Sequence, residues 1–359
     1  MTTLALRPTT TFTAPGTSFA AGPPESRGLP RDGVRLLVAS PAGTVDTRFP
    51  RLPEHLDPGD LLVVNDSAVV PGQLDGSRHP ANGDAAGEVV LHVGSELAHR
   101  EHVVELRTAP DAGRSVLVAS PGDRVRVRGA ELRLVAAYPG EGSSPTGTGN
   151  RLWRARVVAG DLAASLRHRG RPISYGYLDR DYPLAAYQSV FARTPGSVEM
   201  PSAGRPFSDA VLAALSHRGV RMAPVTLHTG FSSQEAGEAP QPEWYDVPAA
   251  TARLVGATRA AGGRVVAVGT TATRALESAV ARDGRVTASR GWTERVVTPA
   301  EPPRVVDGLV TGWHDPGASH LLLVEAVAGR DTAQAAYDVA STAGYLWHEF
   351  GDSALLLRR

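Results

Sequence analysis

Apolar and polar positions follow two rhythms along this chain. Val34–Ser40 (VRLLVAS) and Asp60–Asp66 (DLLVVND) are nearly continuous apolar runs. They read as strands, and the second suits a strand covered on both faces. From about Gly76 to Val158 the rhythm turns to short segments, several of period two: EVVLHVG, VVELRT, RVRVR, ELRLVAAY and WRARVV, divided by Gly, Pro and Asp. This predicts five or six antiparallel strands in a small barrel or sandwich, with Gly140–Asn150 as a flexible loop. From about Gly160 helices and strands alternate. Ser208–Gly219 is a helix with a Ser cap and a Gly stop. Met222–Gly230 is a strand, ATARLVGATRAAGG a helix, and HLLLVEAVAG a short apolar helix. Asp331 with Gln334 forms a capping box that starts a helix through Trp347, and SALLL is a closing strand. The fold class expected is α/β, a mostly parallel sheet with helices on its faces, interrupted by an inserted antiparallel β-barrel domain. The α/β domain takes residues 1–75 and 159–359, with 1–25 open to flexibility; the barrel takes 76–158.

Arg264–Val280 (RVVAVGTTATRALESAV) stands out within this pattern. A buried strand runs into Gly269-Thr270-Thr271, and a helix follows at once. Free N–H groups at such a helix start converge on one spot that attracts negative charge.

Composition narrows the chemistry. Among 359 residues, 37 basic and 37 acidic groups balance, unlike a chain that coats nucleic acid non-specifically. A local RNA-binding patch is still allowed. Every basic residue is arginine, so Schiff-base and P-loop lysine chemistry are excluded. The chain has no cysteine, which excludes disulfides, thiolate and iron–sulfur chemistry and fits a reducing cytosol. No apolar stretch is long enough for a membrane span, and no G-x-G-x-x-G follows a strand.

Seven motifs in order carry a resemblance: LLVVNDSAVVP (Leu61–Pro71), AYQSVFARTPGSVEMPSAG (Ala186–Gly204), VTLHTG (Val225–Gly230), VAVGTTATRALES (Val266–Ser278), GWT (Gly291–Thr293), VVDGLVTGWHDP (Val305–Pro316) and FGDSALLL (Phe350–Leu357). With these the chain resembles the S-adenosylmethionine:tRNA ribosyltransferase-isomerase family of queuosine biosynthesis over nearly its whole length. The resemblance implies an α/β domain with an inserted β-barrel. It implies S-adenosylmethionine as ribosyl donor, with no metal. The ribosyl group passes to the aminomethyl group of a 7-deazaguanine in tRNA and rearranges to an epoxycyclopentanediol, while adenine and methionine leave. A cytoplasmic place follows. Two rivals stay open: a divergent member using a small-molecule acceptor or none, and an inactive binding relative.

Such a reaction needs a base beside the sulfonium, a proton for leaving adenine and an anchor for the methionine carboxylate. The catalytic candidates are Asp66, His228, Glu243 and His314. Asp66 sits at a strand end, where ligands collect, or makes an Asx turn. His314 and His228 carry protons or bond backbone; Glu243 lies in a lid or an ordinary loop. Gly269, Thr270, Thr271, Arg274 and Asn65 are the cofactor candidates. Thr270 and Thr271 hold the carboxylate on their N–H groups or simply cap the helix. Arg274 grips an anion, or pairs with Glu277 or another acid. Tyr187, Gln188, Ser197, Tyr245 and Trp313 are the substrate-side candidates; Tyr187 can stack on a base and Gln188 read its edge, or both can be core. Asp307 and Asp352 read as turn residues. Arginines 124, 126, 128, 154 and 156 either track phosphates or form a solvated face.

Several positions depart from the family pattern. Pro206 and Gln241 stand where histidines occur. Asn65–Leu74 lacks two arginines, and Pro172–Tyr177 (PISYGY) replaces a P-L-P-P-Y run.

Overall fold

The computed structural model describes residues 6–13, 19–141, 149–231 and 238–358; the middle of the expected Gly140–Asn150 loop lies outside them. The chain begins with β1 (Arg35–Ser40), β2 (Gly43–Arg48), β3 (Leu61–Asn65) and the short β4 (Ser67–Val69). Six strands follow: β5 (Gln73–His79), β6 (Gly87–Glu96), β7 (Glu101–Thr108), β8 (Arg124–Val127), β9 (Ala130–Ala137) and β10 (Leu152–Gly160). Next come α1 (Leu162–Arg169), β11 (Thr194–Ser197), α2 (Asp209–His217), β12 (Arg221–Leu227), β13 (Glu243–Val247), α3 (Ala249–Ala260) and β14 (Val265–Val268). The chain ends with α4 (Gly269–Ser278), β15 (Ser289–Thr293), β16 (Gly308–Thr311), α5 (His320–Ala328), α6 (Arg330–Thr342) and β17 (Ser353–Leu357).

Nine strands form one sheet in the order β15-β13-β12-β3-β14-β16-β17-β1-β2. Its centre, β12-β3-β14-β16, is parallel, as is β17 with β1. The β16–β17, β1–β2, β12–β13 and β13–β15 pairings are antiparallel, so the sheet is mixed. One helix between strands returns the chain for a parallel neighbour. Two, α5 and α6, separate β16 from β17 and reverse it. Leu61 and Val63 of β3 pack toward the core beneath α3 to α6, while Leu62 and Val64 pack with α2 residues Val211 and Leu215. Its apolar run is thus buried on both faces.

β5 to β10 close into a barrel, order β10-β7-β6-β5-β8-β9. Arg124 and Arg126 pair with Glu131, and Arg154 and Arg156 with Glu101, all four arginines being about half exposed. The alternation therefore marks an outer face carrying its own counter-charges.

Local expectations shift in three places. Gly329 (φ +85) separates α5 from α6, so Asp331 lies inside the first turn and caps nothing. Gln334 instead bonds Thr11 and Asp338. α6 stops at Thr342 before Gly344 (φ +68), and Trp347 is a fully buried core residue beyond it. The lead-in is partly packed: Thr9 and Thr10 donate to Glu325, and Phe12 stacks on Trp347 at 5.2 Å.

Candidate active site

β14 is buried at every position, and Val268 leads into α4 with no side-chain cap. Gly269 makes the strand-to-helix turn at φ +93, a conformation glycine adopts without strain. Thr270 and Thr271 lie inside the helix, and neither hydroxyl caps its start. The first-turn N–H groups, which have no partners within a helix, open on a cavity of about 410 Å³ lined by Gly269, Thr270 and Thr271. Asn65 stands behind this turn. Its Nδ2 donates to Thr271 Oγ1 (3.2 Å) and to the Leu227 carbonyl (2.9 Å), and its Oδ1 accepts from Leu227 and Ser67.

Glu243, Arg274, Trp313 and His314 line the same cavity. Glu243 and Tyr245 belong to β13, so this stretch is a strand and not a lid or loop. Arg274 makes a close ion pair with Glu243, and its other donors reach the carbonyls of Arg295 (3.0 Å) and Gln241 (2.9 Å). Its donors are therefore committed to protein groups, and its acid is Glu243, not Glu277. Glu277 accepts instead from the N–H groups of Arg304, Val305 and Val306. Burial pushes the Glu243 carboxyl up, against the pull of Arg274 and the Gly230 N–H. His314 accepts or donates at Nε2 to Thr311 Oγ1 (3.1 Å) and stacks on His320 with ring centroids 4.7 Å apart. Burial, then the charges of His320 and His348, hold His314 well below the usual imidazole range; burial lowers His320 to about 4. Both rings are neutral at pH 7, able to accept a proton but resistant to holding one.

The remaining candidates do not line the cavity. Asp66 accepts from Thr226 Oγ1 (2.6 Å). His228 Nδ1 meets Ser67 Oγ (2.8 Å), which meets Ser197 Oγ (2.7 Å), and its ring stacks on Trp244. The ring also crosses Gly196, where a Cβ would lie 2.5 Å from it. Gln188 uses both amide atoms on the Val69 backbone. Tyr187 is buried against Phe350, and Tyr245 bonds Ser289 from within the core. Asp307 and Asp352 bond backbone N–H groups of Val265, Arg35 and Leu346.

Sequence reasoning missed the other wall. Glu199, Glu349, Tyr175, Tyr177, His320 and His348 all line the cavity. The signals were a carboxylate inside the motif Ala186–Gly204 and two tyrosines in the departing segment Pro172–Tyr177. His348 faces Asp315 at 3.4 Å. Among the described residues, no group of three or more His, Cys, Asp or Glu is arranged to hold a metal ion, and no helix is long and apolar enough to cross a membrane.

A family model described as Queuosine biosynthesis protein matches residues 9–356. The chain is 37% identical over 348 residues to the S-adenosylmethionine:tRNA ribosyltransferase-isomerase of Methylorubrum extorquens, covering 91% of each chain. It is 39% identical to the protein of the same name from Anaeromyxobacter dehalogenans, covering 92% of this chain and 94% of that one. The crystal structure of S-adenosylmethionine tRNA ribosyltransferase from Thermotoga maritima superposes with a TM-score of 0.52 at 26% identity, covering 97% of this chain and 99% of that one. With its α/β sheet, inserted barrel and Gly269 turn, this chain belongs to the queuosine biosynthesis protein family of S-adenosylmethionine:tRNA ribosyltransferase-isomerases.

Proposed function

We propose that this protein transfers the ribosyl group of S-adenosylmethionine to the 7-aminomethyl-7-deazaguanine of a tRNA and isomerises it, releasing adenine and methionine. One observation carries the reading beyond family membership: the uncapped start of α4 opens on the cavity that Glu243 and His314 also line. The methionine carboxylate sits on the N–H groups of Gly269, Thr270 and Thr271, where the helix dipole favours an anion. Asn65 keeps Thr271 oriented from behind. Arg274 acts as a positioning residue, fixing Glu243 rather than gripping the cofactor.

Glu243 and His314 are the groups placed to move protons. A buried carboxylate with a raised proton affinity is a stronger base than one in water. Neutral His314 accepts a proton, and its crowded neighbourhood returns it readily, which suits delivery to departing adenine. Trp313 supplies an apolar wall. The names of the relatives supply tRNA as acceptor, and nothing in the cavity favours the small-molecule or inactive alternatives. A tRNA acceptor places the protein's work in the cytosol.

The test is adenine release from S-adenosylmethionine with tRNA bearing the aminomethyl deazaguanine. Release that depends on that tRNA supports the reading. Release without it supports a different acceptor, and no release under any acceptor supports the inactive relative.

A further inference from the structure

One aromatic ring of the cavity is left open. Phe19 lines it, yet keeps 40% of its surface exposed. The chain is pinned at this point, where Phe19 bridges to Trp347 and the Ala20 N–H donates to the Trp347 carbonyl (3.2 Å). Two more rings brace Phe19. His348 meets it edge-on with ring centroids 4.3 Å apart, Tyr177 lies 5.7 Å away, and Tyr177 and His348 lie 5.0 Å apart. A lone exposed phenylalanine is ordinary. Three contacting rings that all line one cavity make an aromatic floor. The backbone is strained to keep it. His348 has φ +67, the left-handed region that a bulky residue enters only when its surroundings hold it there. Its Nε2 lies 3.4 Å from the Asp315 carboxylate.

The next residue supplies a polar edge. Glu349 lines the cavity, and its Oε2 accepts from the Tyr177 hydroxyl at 3.2 Å. Among the described residues, nothing donates to its Oε1. Burial pushes this carboxyl up to about 8, so near pH 7 it keeps its proton and offers one donor and one acceptor side by side. An aromatic floor with such a pair beside it matches the needs of a nucleobase, whose ring stacks on aromatic side chains and whose edge is read by hydrogen bonds.

We propose that Phe19, braced by Tyr177 and His348, is the stacking platform for a purine-type ring whose edge Glu349 reads. This inference rests on the functional reading above. Two rings of this class take part in that reaction, the adenine of S-adenosylmethionine and the 7-deazaguanine of the tRNA. Each presents one donor beside one acceptor: the amino N–H and N1 in adenine, N1–H and O6 in the deazaguanine. The same subsite chemistry fits both, and binding tells them apart. A sulfonium is also drawn to aromatic faces, but it has no use for the paired polar edge.

The test measures binding of S-adenosylmethionine, of S-adenosylhomocysteine, which keeps the adenine without the sulfonium charge, and of tRNA carrying the aminomethyl deazaguanine. F19L keeps apolar bulk without a ring. It raises the Kd of the stacked ligand by about tenfold, the scale of one base–aromatic stack, and F19Y restores it. Where the ring is adenine, S-adenosylmethionine and S-adenosylhomocysteine weaken alike and the tRNA does not. Where it is the deazaguanine, only the tRNA weakens. Either pattern supports the subsite and assigns it, and the unaffected ligand shows that the variant is folded. E349A weakens the same ligand, and E349Q, whose amide also offers a donor and an acceptor, restores it. F19L binding all three ligands as the wild type does overturns the proposal. So does weakening of S-adenosylmethionine alone, which marks a sulfonium contact, and so does equal weakening of all three, which marks a structural role. An E349A that binds the F19L-sensitive ligand normally, or an E349Q that fails to restore it, overturns the edge reading. A wild type that releases adenine with that tRNA while F19L binds every ligand normally sinks this subsite alone. A wild type that binds none of the three sinks the functional reading and this inference together.

Discussion

Glu243 and Arg274 bury opposite charges against each other, and their value lies in being kept together. Removing one partner of a buried pair leaves an uncompensated charge, at a cost of about 3–5 kcal/mol. Glu243→Ala therefore lowers stability by that scale, read by denaturant unfolding. Glu243→Gln keeps the shape and the contact to the Gly230 N–H or Arg274 but cannot take a proton. It lowers kcat by about 10²-fold with the cofactor KM little changed, the scale of lost general-base catalysis; equal losses in kcat and cofactor binding would mean that Glu243 holds the cofactor instead. His320 makes a pH prediction. Its folded pKa, about 4, lies below its unfolded value of 6.5, so the unfolded chain binds the proton more readily. Its contribution is fully present above pH 6.5 and lost as pH falls toward 4. A melting temperature that falls over this window, less steeply in His320→Gln, is expected; parallel curves would contradict it.

The strand–turn–helix unit of β14 and α4 is where sequence and structure agree most closely. Four apolar residues, one glycine and a helical period sufficed, because the turn depends on local backbone geometry alone. Gly269→Ala puts a Cβ on a residue at φ +93, a strain of about 1–3 kcal/mol. The turn shifts to relieve it, and the cofactor Kd rises by about tenfold or more; titration with S-adenosylmethionine measures this, and an unchanged Kd argues against anchoring at the turn. Other elements were less legible. The Asp331–Gln334 spacing is a sound cap signal, but Gly329 makes the turn two residues earlier. Tyr187 and Gln188 share the composition of a binding loop, yet burial against Phe350 and pairing with Val69 are facts of tertiary packing. Glu199 and Glu349 lie 150 positions apart, and only the closed fold makes them one wall.

At the scale of the whole molecule, the cavity lies where the parallel centre of the sheet hands over to α4 and to the loop after β16, the usual place for ligands in open α/β sheets. The barrel hangs from this domain with Arg124, Arg126, Arg154 and Arg156 already paired. Pairs with an exposed arginine contribute about 0–1 kcal/mol each, and each glutamate offsets the charge of one of its two arginines. Glu101 is buried and answers both Arg154 and Arg156, so Arg154→Ala alone, which leaves Glu101 its Arg156 partner, keeps the melting temperature nearly unchanged and the tRNA KM within about twofold, since a lost phosphate contact would raise KM further and flatten the salt dependence. A large rise in KM with a shallower salt slope would make the barrel an RNA surface.

The most direct measurement is adenine released per mole of enzyme from S-adenosylmethionine, with and without tRNA carrying 7-aminomethyl-7-deazaguanine. Release only with that tRNA, matched by methionine and by a ribosyl-derived adduct on the base, is the predicted result. Adenine freed equally in its absence, or a methylated tRNA with adenine still attached to its sugar, would contradict it.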